Sequence, residues 1–208
     1  MGQIFNLVLT QPLTSALVLL YSYVTFQDLG LAIIALTILI RIILYPLFYR
    51  SMKSQSMMQK IQPEIAKMQE QHKGNREAQA TAMMAIYKAN KINPFGSFFY
   101  LLLQFPVLIA LYQIFVTLPA GLTTTFIGLL DLSQPSMIIV VLAAIAQYVQ
   151  AKLSLPKPKP GEAPSKAAAM GKYMVYMGPV LTLIILPQLN AAIGLYWLTT
   201  SVFSIFQQ

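Results

Sequence analysis

The chain has 208 residues, 57% of them hydrophobic and only 10% charged, with a net charge of +8 and a mean hydropathy of +0.64. Water-facing domains carry about 25% charged residues, so this composition excludes an ordinary soluble fold and points to a membrane protein. Cysteine is absent, which excludes disulfides, thiol catalysis and thiolate metal sites and leaves no candidate for lipidation at a cysteine.

Residues 1–28 are mixed: Thr10, Gln11, Thr14, Ser15, Tyr21 and Ser22 recur among leucines and valines. Pro12 suits the first turn of a helix, and a helix from there to Phe26 covers about 20 Å, short of the ~30 Å hydrocarbon core. An amphipathic helix lying in the interface is therefore expected over 1–28, with a sixth span as the alternative. No basic residue precedes the first apolar stretch and no small-residue cleavage site follows it, so a cleavable signal peptide is not expected.

Five apolar runs follow, at Leu29–Tyr49, Phe95–Leu118, Ser136–Lys152, Tyr173–Leu186 and Ala191–Gln207. Each approaches the ~20 residues of a membrane-crossing helix, which predicts an all-α membrane protein with a five-transmembrane-helix bundle. The last two runs are punctuated by Pro179 and Pro187. At roughly 15–17 residues they cover only about 22–26 Å, a length met by bilayer thinning or by snorkelling at the ends.

The basic residues set the orientation. Of 14 Lys and Arg, eight fall between Arg50 and Lys91 and five between Lys152 and Lys172. The segments 1–28, 119–135 and 187–190 contain none. Cytoplasmic loops collect Lys and Arg, so five spans place the N-terminus outside and Gln208 inside. An even number of spans would put one basic segment on the wrong side.

Residues 51–92 read as a cytoplasmic helical hairpin turning at Lys73-Gly74-Asn75. Met57, Met58, Ile61, Ile65 and Met68 form a stripe on the first arm, and Ala80, Met83, Met84 and Tyr87 on the second. These stripes either zip the arms together or offer an adaptable thioether surface to partners. Lys60 and Glu64 are spaced to pair, and Pro63 marks a kink or a helix start. Seven basic residues stand against three acidic ones here. Positive-inside bias, lipid headgroups and ribosomal RNA all account for that excess. The second basic segment, within 154–171, contains Pro156-Lys-Pro-Lys-Pro160 and is expected to be a flexible cytoplasmic loop.

Arg41 is the only ionisable Lys, Arg, Asp, Glu or His deep in a run. Nine residues separate it from Arg50, about 13 Å of helix, which puts it near the bilayer midplane and beyond full snorkelling reach. Such a charge costs about 2.5–3.5 kcal/mol on insertion scales. No acidic residue lies in the runs, since Asp28 and Asp131 are expected outside and the four glutamates inside. A wet cavity of neutral groups is one solution, drawn from Thr37, Gln104, Tyr112, Gln113, Gln147, Gln150, Trp197, Thr199, Thr200 and Ser201. A tether from Arg41 to neighbouring carbonyls is the other, and each amide or hydroxyl has its own alternative in helix–helix packing.

The order and spacing of several segments resemble the YidC family of membrane-protein insertases, from about Leu7 to Gln208. They are Gly30-Leu-Ala-Ile-Ile through Arg41 to Pro46, Met57-Met-Gln-Lys-Ile-Gln-Pro63-Glu, Tyr87 through Asn93-Pro94-Phe-Gly96, Leu103-Gln-Phe-Pro106 and Gly194-Leu-Tyr-Trp197-Leu. The resemblance implies an insertase core over 29–208 in a bacterial inner membrane, with an inward-open hydrophilic groove that binds substrate. Arg41, Gln104, Trp197 and either Gln147 or Gln150 would line that groove, with Arg41 attracting acidic residues on translocated tails. The hairpin would be mobile and needed for activity.

Partners implied in the same way are nascent membrane proteins with short acidic tails and the lipid bilayer, with a Sec translocon and the ribosome as further candidates. No small-molecule substrate is implied. The large outer domain of some members, the lipidated cysteine of others and the basic C-terminal tail of several are not found in these residues, which weakens the case for direct ribosome anchoring.

Two other functions share part of this pattern. A small-solute transporter would also use an intramembrane charge, but inverted repeats and paired broken helices are not evident. An enzyme is not expected: HExxH, GxSxG and paired intramembrane carboxylates are missing, and His72 is the single histidine. No cofactor or metal is expected.

Overall fold

A computed structural model describes residues 2–93, 96–119, 121–155 and 166–207. Its helices are α1 (Gly2–Phe5), α2 (Gln11–Tyr23), α3 (Leu29–Ile43), α4 (Tyr45–Gln71), α5 (Arg76–Ala89), α6 (Gly96–Val116), α7 (Met137–Leu153), α8 (Lys166–Ile185) and α9 (Ala191–Gln207). A π turn (Asn6–Thr10) joins α1 to α2, and a 3-10 turn (Leu186–Gln188) follows α8. Two short strands, β1 (Thr125–Phe126) and β2 (Leu130–Asp131), pair antiparallel with Thr125 opposite Asp131.

The α-helix expected to begin at Pro12 begins at Gln11, with Pro12 in its first turn, and the π turn and α1 extend the helical stretch back to Gly2. Proline lacks an N–H, and its ring presses on the carbonyl four residues back. The π turn just before it widens the backbone, with Gln11 N donating to Asn6 O. Thr14 Oγ1 then donates to Thr10 O at 2.7 Å. The stretch Gly2–Tyr23 is thus 22 residues long, long and apolar enough to cross a membrane by length and composition.

The run expected over Leu29–Tyr49 is two helices, broken at Leu44. Proline disfavours helical backbone in the residue before it, so Pro46 works against a helix running through Tyr45. Its fixed φ suits the first turn of α4, where it now lies. The other runs agree with α6, α7 and α9 to within two residues at each end, and α8 begins earlier, at Lys166. Of the loop expected over 154–171, residues 156–165 lie outside the described residues.

The chain forms two compact units, one of Met1–Leu44, Gln104–Ser154 and Val175–Gln208, the other of Tyr45–Leu103 and Leu155–Met174. In the first, α9 packs on α7 and α3. Gly194 permits the approach to α7, since a Cβ there would lie 2.8 Å from Ile139 Cγ2. Leu17, Leu29, Ile33, Leu36, Leu111 and Leu132 are fully buried in one hydrophobic core.

That core runs from Leu132, in the segment 117–136 that connects α6 to α7, to Ile40 and Tyr196, and polar groups bind the connection down. The Asp28 carboxylate accepts from Leu31 N at 2.9 Å, capping α3, and from Ile127 N at 2.5 Å. Ile127 and Gly128 both have positive φ, 50° and 67°, as a tight strand turn of this hand requires. Phe126 lies over Gly30, where a Cβ would come within 2.1 Å of its ring. Tyr21 Oη hydrogen-bonds Thr123 Oγ1 at 2.8 Å and accepts from Thr123 N at 3.0 Å. Ala191 N donates to Gln134 O at 2.9 Å, and Asn190 Nδ2 to Phe115 O at 2.8 Å.

In the second unit α4 and α5 form a helical hairpin. Ile61, Tyr87 and Ile92 are buried together, with Met57, Met58, Ile65, Met83 and Ile86 packed on them, so most of the first stripe and Met83 and Tyr87 of the second zip the arms, while Met84 is 44% exposed. Gly74 turns with φ 93°, and Asn75 caps α5 by accepting from Ala78 N at 3.0 Å. Pro63 lies inside α4 and starts no helix.

Candidate functional site

Because α3 ends at Ile43, Arg41 falls in its last turn. There the partial negative charge of the helix C-terminus favours a cation, an effect the longer expected run would have hidden. The side chain is 7% exposed and lies against α9, where Nη2 donates to the Thr200 carbonyl at 3.4 Å. The same carbonyl accepts from Ser204 Oγ at 2.9 Å. Thr200 Oγ1 is buried and has no hydrogen-bond partner among the described residues; neither have the amide atoms of Gln207, seven positions further along α9.

Two more groups reach the same stretch of α9. From α6, Gln104 Nε2 donates to Tyr196 Oη at 2.5 Å. From α7, Gln147 lies between Trp197 and α8. With its amide turned to satisfy both sides, its oxygen accepts from Trp197 Nε1 at 2.9 Å. Its nitrogen then donates to the Gly178 carbonyl at 2.9 Å and also meets the Thr182 hydroxyl.

At 100° per residue, Tyr196, Trp197 and Thr200 span about 100° of arc, so one face of α9 receives side chains from α3, α6 and α7. Counting 1.5 Å per residue from the helix ends next to residues 117–136, Arg41 and Gln104 lie about 18 Å in, Gln147 about 15 Å, Thr200 about 14 Å and Tyr196 and Trp197 about 8–9 Å. Arg41, Gln104 and Gln147 thus each bond to one stretch of α9, Tyr196–Thr200.

The Gln150 backbone carbonyl accepts from Ser154 Oγ at 3.0 Å. Thr37 and Thr199 turn back to their own helix, onto Ile33 O and Leu195 O. Tyr112 and Gln113 lie elsewhere, beside residues of the N-terminal helix. Tyr196, Thr182 and Ser204 were missed by sequence reasoning. Ser204 continues the Trp197, Thr200, Ser201 series at helical spacing, a signal present in the sequence, whereas Thr182 has no such signature.

Near the basic end of α7, the Tyr148 and Tyr176 rings are 5.7 Å apart and Lys152 Nζ is 5.9 Å from the Tyr148 ring. Tyrosine and lysine of this kind gather at membrane–water boundaries. Among the described residues no group of three or more His, Cys, Asp or Glu could hold a metal ion.

Residues 19–208, which include every site residue named above, match the family described as 60Kd inner membrane protein. The chain belongs to that family. A relative from Clostridium tetani, named membrane protein insertase YidC, is 36% identical over 187 residues, covering 90% of this chain and 80% of the relative. One of the same name from Geobacter metallireducens is 31% identical over 203 residues. This chain spans 96% of its own length in that match but only 36% of the relative's. The crystal structure of an active YidC insertase with its first transmembrane domain resolved superposes with a TM-score of 0.69 at 24% identity, covering 98% of this chain and 46% of that one. The likeness to the YidC family drawn from the motifs is borne out, and the family fold is shared.

Proposed function

We propose that this chain is a membrane-protein insertase and chaperone, guiding the transmembrane segments of nascent clients into the bilayer without a chemical step. The observation that carries the reading is the attachment of Arg41, Gln104 and Gln147 to one stretch of α9, Tyr196–Thr200. A guanidinium there attracts an acidic residue on a translocating tail, and desolvation takes back much of what the low dielectric adds. The inside-negative potential contributes about 2.3 kcal/mol per charge per 100 mV toward moving that tail outward.

The groove in this reading opens toward the cytoplasm and is closed at the outer end. The buried core beside residues 117–136 supports the closure. The unpartnered Thr200 hydroxyl and Gln207 amide support hydration of the other half, since buried polar groups in native proteins pair with protein or water. Five spans are α3, α6, α7, α8 and α9, with the N-terminus outside and Gln208 in the cytoplasm of a bacterial cell, and α4–α5 as the cytoplasmic hairpin. A Sec translocon and the ribosome stay candidate partners through the basic hairpin.

Residues 2–23 are read as an interfacial helix rather than a sixth span. Thr10 bonds Gln113 in the last turn of α6, and Tyr21 bonds Thr123 in the loop just beyond it. These anchors lie about 16 Å apart along the helix, yet both partners are at one end of the bundle, which favours a helix lying across that end.

Reconstituted vesicles with a protease-protection readout test the function. Arg41→Ala abolishes insertion of a client with an acidic tail, and Arg41→Lys retains part of it. Equal insertion by the alanine variant defeats the groove mechanism. Photo-crosslinking from position 41 traps nascent membrane proteins; trapping none returns weight to a solute transporter.

A further inference from the structure

Between the N-terminal helical stretch and the end of α6 lies a cleft of about 710 Å³ that the client site does not use. Its volume falls within the ~300–1,000 Å³ of small-molecule sites. Asn6, Thr10, Gln11 and Ser15 line one wall, Tyr112 and Gln113 the other, and Thr10 Oγ1 donates to Gln113 Oε1 at 3.4 Å across it. Val116 is the one aliphatic residue in the lining, and no lining residue is charged. Asn6, Gln11 and Ser15 are exposed, and the Tyr112 ring, 45% exposed, offers a flat apolar face with a polar tip.

The charge pattern narrows the occupant. Residues 1–40 and 92–151 contain no Lys or Arg, and the neighbouring loops carry Asp28 and Asp131. A phosphate headgroup would meet hydroxyls and amides with no cation to neutralise it, whereas an uncharged polyol finds both donors and acceptors. On the same helix Ile4, Leu7 and Val8 are 72%, 67% and 63% exposed, an apolar flank suited to acyl chains. We propose that this cleft seats the sugar headgroup of a neutral glycolipid. The assignment rests on residues 2–23 being interfacial, which sets the cleft at headgroup depth, and is separate from client binding.

The test uses the full chain in nanodiscs of phosphatidylethanolamine, phosphatidylglycerol and diglucosyl diacylglycerol, with retained lipid counted by native mass spectrometry. The glycolipid is enriched at least about fivefold over its share of the bilayer, the yield of one or two added hydrogen bonds. Asn6→Leu, and Ser15→Trp which fills the cleft, both abolish the enrichment while melting temperature and acidic-tail insertion stay at wild-type values. Lipids retained in proportion to the bilayer, or enrichment unchanged in both variants, overturn the proposal. Complete displacement of the glycolipid by millimolar maltose overturns the lipid source and assigns the cleft to a soluble sugar. A spin label at Gln11→Cys reports depth separately: a midplane value overturns the interfacial reading on which the site depends, whatever the insertion assay gives.

Discussion

At the end of the first unit near residues 117–136, Leu17, Leu29, Ile33, Leu111 and Leu132 are at most 1% exposed, and loop donors are matched to Asp28, Tyr21 and backbone carbonyls. Three or four helical turns away, the buried residues include Arg41, Ser201 and Ser204, and Thr200 Oγ1 has no protein partner among those described. The same helices build both regions. In lipid, apolar side chains gain little from leaving one hydrocarbon for another, so helices hold together by close packing and satisfied polar groups. The first region uses both devices fully. The second gives up some of each and buries the Arg41 charge against the Thr200 carbonyl.

The comparison breaks most directly at Gly30. Gly30→Val drives a side chain into Phe126 and costs about 3 kcal/mol by overpacking. It lowers the melting temperature in detergent and exposes residues 119–135 to protease; a wild-type melt would show that packing does not close this end. Gln147→Leu acts on the other region, removing the partner of Trp197 Nε1 at a cost of about 1–3 kcal/mol. Trp197 is the single tryptophan, so the lost hydrogen bond is read as a shift in intrinsic fluorescence. An unshifted spectrum would remove Gln147 from the α9 cluster.

Tyr21→Phe is milder. It deletes the bonds to Thr123 and costs about 1 kcal/mol, seen as faster amide exchange at Thr123. Exchange equal to wild type would show that Tyr21 does not hold the loop.

The smallest effect is expected at Asp131. Ser133 N donates to its carboxylate at 2.9 Å and Ser133 Oγ at 2.7 Å, holding it below the ordinary 3.8. A carboxyl depressed by folding contributes stability above its unfolded value and loses it as pH falls through its folded value. Asp131→Asn therefore melts slightly earlier at pH 7, and the two proteins converge as pH drops well below 3.8. A gap that persists in acid would assign the effect to something other than ionisation.

Much of this was legible from pattern alone. Long apolar runs located α6, α7 and α9 closely, and Lys73-Gly74-Asn75 located the hairpin turn, because hydropathy and glycine report local physics. The break at Leu44 was not read, although Pro46 carried the signal, since an uninterrupted apolar run outweighed it. The extension of the helical stretch back to Gly2 was missed because a π turn has no sequence signature. For the site, Arg41 stood out by charge, and Gln104 and Trp197 by motif. Gln147 and Gln150 could not be separated from sequence, because they are three residues apart on one helix and only α8 and Trp197 distinguish them. Tyr196 and Thr182 were missed for the same reason: their roles are fixed by what faces them across the bundle.

The dependence of three neighbouring helices on residues 196–200 makes α9 intolerant of changes in length. Inserting one residue between Asn190 and Tyr196 would rotate everything after it by about 100° and advance it by about 1.5 Å. Arg41, Gln104 and Gln147 would then all lose their counterparts together. Family members should therefore vary in the number of residues joining α7 to α8 far more freely than in the six-residue step from Asn190 to Tyr196.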